Sequence, residues 1–299
     1  MDAQGPARIR VGVAGWDYPD WKGVLYPQPR PRGFDPLRFL AQYLDLIEIN
    51  SSFYGPPTEA VARRWVERVH GCRDFRYTAK LWRRFTHQRK EAWTRSEVAE
   101  VRAGFDVLAA ARVLSAVLIQ FPWSFKNTEP EREWLADLAD TFSDYPLVLE
   151  VRHASWNEPG FYRWLAASGI GFVNIDQPLF GRSIPPSARA TAAVGYVRVH
   201  GRNYRDWFRR DAGRDARYDY LYPAAELRPL AQRTRKIAEA PGTRSVDVVF
   251  NNHYRAQAVV NALQFEKLLT GRKPAAPPLL MAHYEAELKR YARAQPPAG

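Results

Sequence analysis

The sequence predicts an α/β protein: a single (β/α)8 TIM barrel with an extra helix at the C-terminal end. Three observations predict it. Eight short apolar segments alternate with segments of mostly helical spacing, and near-continuous apolar strands are typical of a sheet covered by helices. Eight such units in 299 residues fit a closed barrel. The first strand lacks a Gly-x-Gly-x-x-Gly turn and no P-loop occurs anywhere, which disfavours an open nucleotide-binding sheet.

The elements follow in order. Ile9–Trp16 is the first strand, ending in a Gly-Trp turn and a long loop rich in aromatics and proline up to Arg32. A helix over about 35–43 leads into the second strand, Leu44–Ser52. Thr58 is a suitable N-cap for a helix in which Val61, Trp65 and Val69 share one face. The third strand, Phe75–Leu81, precedes a basic loop and a helix over about 96–114. Ala116–Pro122 is the fourth strand, followed by an amphipathic helix over 129–142. The stretch Pro146–Trp156, which begins as an apolar strand and ends in polar residues, is the fifth, followed by a helix near 160–168, and Gly171–Asp176 is the sixth. The segment 177–193 holds three prolines and has the weakest helical pattern. Gly195–Gly201 is the seventh strand; a helix over 224–238 leads to the eighth, Val246–Asn252. A helix over 255–269 closes the repeat. The reading is one domain, with a barrel core over about 9–270 and a C-terminal helical extension over about 279–294.

Composition sets bounds. At 46% hydrophobic residues the chain can bury a large core, and its single cysteine, Cys72, excludes an intramolecular disulfide. No run of eighteen apolar residues occurs, and the first ten residues carry no apolar stretch resembling a secretion signal. The expectation is a cytoplasmic protein without a membrane partner. The formal charge of +12 suits an anionic partner, but an arginine-rich solvated surface would read the same way. Oligomeric state is not legible.

In such barrels the active site lies at the C-terminal ends of the strands. Those ends carry Trp16; Glu48 and Asn50; Lys80; Gln120; Glu150, Arg152 and His153; Asp176; Arg198 and His200; and Asn251 and Asn252. Each alone could belong to a satisfied polar network inside the barrel; eight polar strand ends together point to a site. Glu150, Glu48, Asp176 and His200 are the candidates for acid–base work, since environment tunes carboxylates and imidazoles for proton transfer. Lys80, Arg152 and Arg198 are candidates for holding a phosphate or carboxylate. His153, Asn50, Gln120, Asn251, Asn252, His87, Trp16 and Trp156 are candidates for orienting the substrate. No cofactor is predicted. A divalent metal on the acids and histidines is an alternative that three nearby cations oppose, and no spaced ligand motif supports it.

Two loops flank the same mouth. One carries Arg83, Arg84, Arg89 and Lys90 around Trp82, Phe85 and His87; the other carries Arg202, Arg205, Arg209, Arg210, Arg214 and Arg217 around Tyr204, Trp207 and Phe208. Cations with interleaved aromatics suit nucleic acid. A salt-bridged lid is the alternative, because Asp206, Asp211, Asp215 and Asp219 neutralise much of the second loop.

Several of these stretches, taken in order, resemble one family. They are Val11-Gly-Val-Ala-Gly-Trp16, Glu48-Ile-Asn-Ser-Ser-Phe-Tyr54, Phe75-Arg-Tyr-Thr-Ala-Lys80 with His87, Gln120-Phe-Pro122, Glu150-Val-Arg-His-Ala-Ser-Trp156, Arg198-Val-His-Gly201 and Phe250-Asn-Asn252. Together, over roughly residues 9–270, they are similar to the YecE-like proteins, a domain-of-unknown-function family. The resemblance implies a TIM barrel and a cytoplasmic bacterial or archaeal protein, and no established activity. Three readings result: an enzyme of hydrolase or lyase type acting on an anionic, phosphate-bearing substrate; a noncatalytic module binding nucleic acid or another anion; and a sugar isomerase or hydrolase with paired carboxylates, which leaves the three cations idle.

Overall fold

The computed structural model describes residues 6–72, 74–207, 209 and 216–297. Eight parallel strands close into a barrel in sequence order: β1 Arg8–Ala14, β2 Leu46–Ile49, β3 Arg76–Lys80, β4 Leu114–Gln120, β5 Leu147–Glu150, β6 Gly171–Asp176, β7 Val194–Val199 and β8 Ser245–Phe250. β8 pairs back onto β1 from Ser245↔Arg8 to Phe250↔Val13. The helices are α1 Pro36–Leu40, α2 Glu59–Arg68, α3 Arg83–Thr86, α4 Arg95–Ala110, α5 Glu129–Thr141, α6 Pro159–Ala167, α7 Ala224–Ala238 and α8 Gln257–Thr270. The predicted fold class is the one observed.

Local chemistry sets the helix starts. Thr58 accepts a hydrogen bond from the Val61 amide and caps α2. Thr94 and Glu97 form a reciprocal capping box at α4. Gly12 on β1 permits close packing: a Cβ there would lie 1.7 Å from the Leu46 carbonyl oxygen.

Two expectations are corrected. The segment between β6 and β7 carries no helix, because Pro178, Pro185 and Pro186 remove amide donors. The C-terminal extension is two short helices, α9 Pro278–His283 and α10 Glu285–Leu288, broken at Tyr284 (φ −118°, ψ 44°). The chain then turns so that β10 (Arg293–Ala294) pairs with β9 (Ala275–Ala276), a reversal that one continuous helix would prevent. Among the described residues no helix is long and apolar enough to cross a membrane.

Candidate active site at the barrel mouth

Register decides which strand-end side chains meet, since directly paired residues of neighbouring strands share a face. Glu48 pairs with Thr78, Gln120 with Glu150, and Ile175 with Arg198. Lys80 lies two residues beyond Thr78, so Glu48, Lys80, Gln120, Glu150 and Arg198 all point into the barrel. Asp176 pairs with Val199 and points outward.

Arg198 ties the interior together. Its Nε and Nη2 donate to Glu48 at 2.9 and 2.6 Å, and its Nη1 donates to Glu150 Oε2 at 2.8 Å. Tyr196 OH donates to Glu48 Oε2 at 3.0 Å. Arg152 reaches Glu150 Oε1 through Nε at 2.8 Å and Nη2 at 2.7 Å. All four carboxylate oxygens are therefore engaged, and neither acid is exposed. Burial alone would raise the Glu150 pKa, but Arg152 and Arg198 outweigh it and hold the carboxyl well below its usual range. Arg198 is correspondingly raised by Glu48 and Glu150 against the cost of its burial.

His200 completes this layer. Asn251 Nδ2 lies 3.1 Å from His200 Nδ1, and because the amide nitrogen is a donor, Nδ1 accepts and the proton sits on Nε2. Nε2 faces Glu150 Oε1 at 3.5 Å. Burial, aided by Arg198 and opposed by Glu150, lowers the pKa of His200 to about 4, so the ring is neutral at pH 7.

Above this layer lies a cavity of about 790 Å³. Arg198, Arg152, Lys80 and Gln120 line it, whereas Glu48, Glu150 and His200 do not reach its wall. The inner wall thus presents cations to a ligand with Glu48 and Glu150 behind them, and the acid on the lining, Asp17, is paired with Arg30. A guanidinium carries five N–H donors. Arg198 uses three on carboxylates, leaving one each on Nη1 and Nη2, and Arg152 uses two. Lys80 Nζ sits 4.0 Å from the Phe53 ring centroid and, among the described residues, forms no ion pair. Burial and then Arg198 lower its pKa to about 7, against the pull of Glu48 and Glu150.

Other predicted residues divide in two. Trp16, Asn50, His87 and Asn251 line the same cavity. Asp176, His153, Trp156 and Asn252 do not. Asp176 is gripped by Arg202 Nε and Nη2 at 2.8 and 2.7 Å, by Tyr222 OH at 2.8 Å and by Arg233 at 3.4 Å. His153 accepts from the Ser155 amide and caps a short 3-10 turn. Trp156 is fully buried, donating to the Phe125 carbonyl and stacked on its ring. Asn252 donates to the Tyr220 carbonyl and to Asn261 Oδ1.

The structure adds Tyr18, Trp123, Tyr218 and His253, not named from the sequence, and brings in Phe53, Tyr54 and Arg217, not assigned to the site from it. Tyr18 stacks on His253 at 4.2 Å and 5°, Tyr218 leans on the same imidazole at 4.7 Å, and all three line the cavity with Phe53, Tyr54, Trp123 and Arg217. The available signal was position: His253 follows Asn251-Asn252 directly, and Phe53-Tyr54 follows the polar end of β2.

Four of the eight described basic residues named in the two loops form ion pairs. Arg84 meets Glu97 at 2.5 Å, Arg89 meets Glu131 at 3.8 Å, Arg202 meets Asp176 and Glu226, and Arg209 meets Asp206. Phe208, Arg210, Asp211, Arg214 and Asp215 lie outside the described residues. Also among the described residues, no group of three or more His, Cys, Asp or Glu side chains is arranged to hold a metal ion.

Comparison with known proteins places this barrel. The model of a family described as a protein of unknown function, DUF72, matches residues 10–283. The chain belongs to the DUF72 family. A curated relative, the UPF0759 protein YunF of Bacillus subtilis (strain 168), is 29% identical over 275 residues, which is 87% of this chain and 94% of that protein. The crystal structure of a DUF72 family protein (TM1631) from Thermotoga maritima MSB8 is 31% identical at a TM-score of 0.75, covering 88% of this chain and 99% of the other. That of a DUF72 family protein (EF0366) from Enterococcus faecalis V583 is 25% identical at a TM-score of 0.75, covering 87% and 95%. The DUF72 match agrees with the YecE-like motifs read from the sequence, and it carries no reaction with it.

Proposed function

We propose that the barrel mouth is the active site of an enzyme acting on an anionic, phosphate-bearing small molecule. The observation that carries this reading is the pair of guanidiniums, Arg152 and Arg198, that keep N–H donors on the cavity side while Glu48 and Glu150 hold them from behind. Such an arrangement fixes a fork of charge-assisted donors before a phosphate arrives, so little ordering remains to be done on binding. The wall of Tyr18, Tyr218 and Phe53 suits a ring attached to that phosphate.

On this reading Glu150 positions the arginines instead of transferring protons, because its oxygens are engaged and covered. Proton transfer falls to groups that reach the cavity, among which Lys80 and His87 share contact with the Phe53 ring. A pure binding pocket has no use for a near-neutral amine beside two guanidiniums, which favours an enzyme of hydrolase or lyase type. The second reading, noncatalytic nucleic-acid binding, draws on two exposed rings, Tyr54 on the cavity lining and Tyr204 in the loop after β7 (65% and 54% exposed). It is weakened by the ion pairing of Arg84, Arg89, Arg202 and Arg209.

The test is to incubate wild-type protein and Arg152→Met with a panel of sugar phosphates, nucleotides and short oligonucleotides, following each by mass spectrometry. The proposal expects at least one small phosphate compound to be consumed by wild type and spared by the variant. Salt-sensitive oligonucleotide binding with no compound consumed would favour the binding module instead.

A further inference from the structure

We propose that Lys80 is an amine nucleophile that forms an imine with the carbonyl group of a phosphate-bearing aldehyde or ketone. This deepens the reading above and rests on it, because Arg152 and Arg198 seat the phosphate while Lys80 meets the carbonyl.

The geometry carries the proposal. Lys80 closes β3 at the C-terminal face and lines the cavity. Glu48 and Glu150 are taken by Arg198 and Arg152, so the amine stands beside two cations and, among the described residues, forms no ion pair with a carboxylate. Its flank is apolar: Nζ lies 4.0 Å from the Phe53 ring centroid. An ammonium in that position loses hydration and gains like-charge repulsion, both of which favour the neutral amine. Glu48 and Glu150 pull the other way, and the balance leaves the amine titrating near neutrality. A lysine whose task was only to bind phosphate would gain from a nearby acid to keep it charged.

The same phenyl ring positions an acid–base partner. His87 packs edge-on to Phe53 at 4.9 Å, so Lys80 and His87 share one neighbour and one cavity. In the step itself the Lys80 nitrogen lone pair adds to the carbonyl carbon, forming a C–N bond while the carbonyl π pair moves to oxygen. The nitrogen gives up a proton and the oxygen takes one, producing a carbinolamine. Protonation of that hydroxyl releases water and leaves a protonated imine. No electrons leave or enter, and the sum is amine plus carbonyl plus proton giving iminium plus water. His87 is placed to move these protons, and the Arg152 and Arg198 donors sit where the substrate anion would lie.

Borohydride trapping tests this on the intact protein, with pyridoxal 5′-phosphate as a phosphate-bearing aldehyde and pyridoxal as its phosphate-free counterpart. Reduced adducts are located by peptide mass mapping. The proposal expects one dominant adduct at Lys80, formed at least tenfold faster with the phosphorylated probe and suppressed by inorganic phosphate. Its rate should rise with pH to a half-maximum near 7, where a solvated lysine would still be charged, and the adduct should vanish in Lys80→Arg. Labelling spread over surface lysines such as Lys90 and Lys126, with Lys80 unmodified, overturns it. If Lys80 stays unmodified while inorganic phosphate binds in a parallel titration, the imine fails and the phosphate site stands. If Lys80 reacts equally with both probes and phosphate gives no protection, the nucleophile stands and the phosphate-site reading falls.

Discussion

Replacing Lys80 with methionine should stabilise the protein at neutral pH. In the fold the amine titrates at about 7 against 10.5 ordinarily; at ~1.36 kcal/mol per pH unit that difference is worth at most about 5 kcal/mol of destabilisation in the protonated state. Water in the cavity screens part of it, and the cation–π contact with Phe53 returns ~0.5–1 kcal/mol. A net gain of ~1–3 kcal/mol is expected for Lys80→Met, or roughly 2–6 °C in Tm for a chain of this size. The sign follows from proton counting. Between about pH 7 and 10.5 the unfolded wild type holds a proton on Lys80 that the folded one has released, so wild-type stability rises with pH across that window. The variant's advantage should therefore be full at pH 6.5 and nearly gone at pH 10.5. Urea denaturation at both values measures it. A variant less stable than wild type at pH 6.5, or an advantage independent of pH, would refute this account of Lys80.

Other perturbations separate positioning from chemistry. Glu48→Gln leaves Arg198 buried with half its carboxylate partners and should cost ~3–5 kcal/mol in urea denaturation; a loss below ~1 kcal/mol would mean the pair is not load-sharing. Asp176→Asn should lower stability through Arg202, Arg233 and Tyr222, yet leave phosphate affinity within about twofold, since the side chain faces away from the cavity. His200, lowered to about 4, should give the nitrogen NMR pattern of a neutral ring with Nε2 protonated at pH 6. Its contribution to stability should be lost as pH falls from 6.5 towards 4, where the unfolded chain takes up the proton first. An imidazolium signal at pH 6 would remove the burial argument.

The barrel was legible because its strands are apolar on both faces and end in polar residues, so β/α alternation could be counted. Alternation along β2, β5 and β7 puts Glu48 with Asn50, Glu150 with Arg152 and Arg198 with His200, each pair on one face. The same reasoning could not place Asp176. On β6 the face of Asp176 also carries Phe172 and Asn174 while the other carries Gly171, Val173 and Ile175, so both faces hold apolar residues, and only the pairing of Asp176 with Val199 reveals the outward face. Nor could the sequence separate an acid that meets substrate from an acid that holds an arginine. That depends on bonds between β2, β5 and β7 across the barrel, as between Glu48 and Arg198, 150 positions apart. The C-terminal extension misled for a different reason: its helical spacing is real over short spans, and the break at Tyr284 comes from the tertiary pairing of β9 with β10.

Isothermal titration of inorganic phosphate into wild type and Arg152→Met tests the central claim most directly. The account predicts one phosphate bound per wild-type chain and at least tenfold weaker binding in the variant, which removes the one of the two acid-held guanidiniums that keeps more N–H donors for a ligand. Absence of saturable binding to wild type up to ~10 mM, or equal affinity in the two proteins, which any charge-assisted anion site should distinguish, would contradict it.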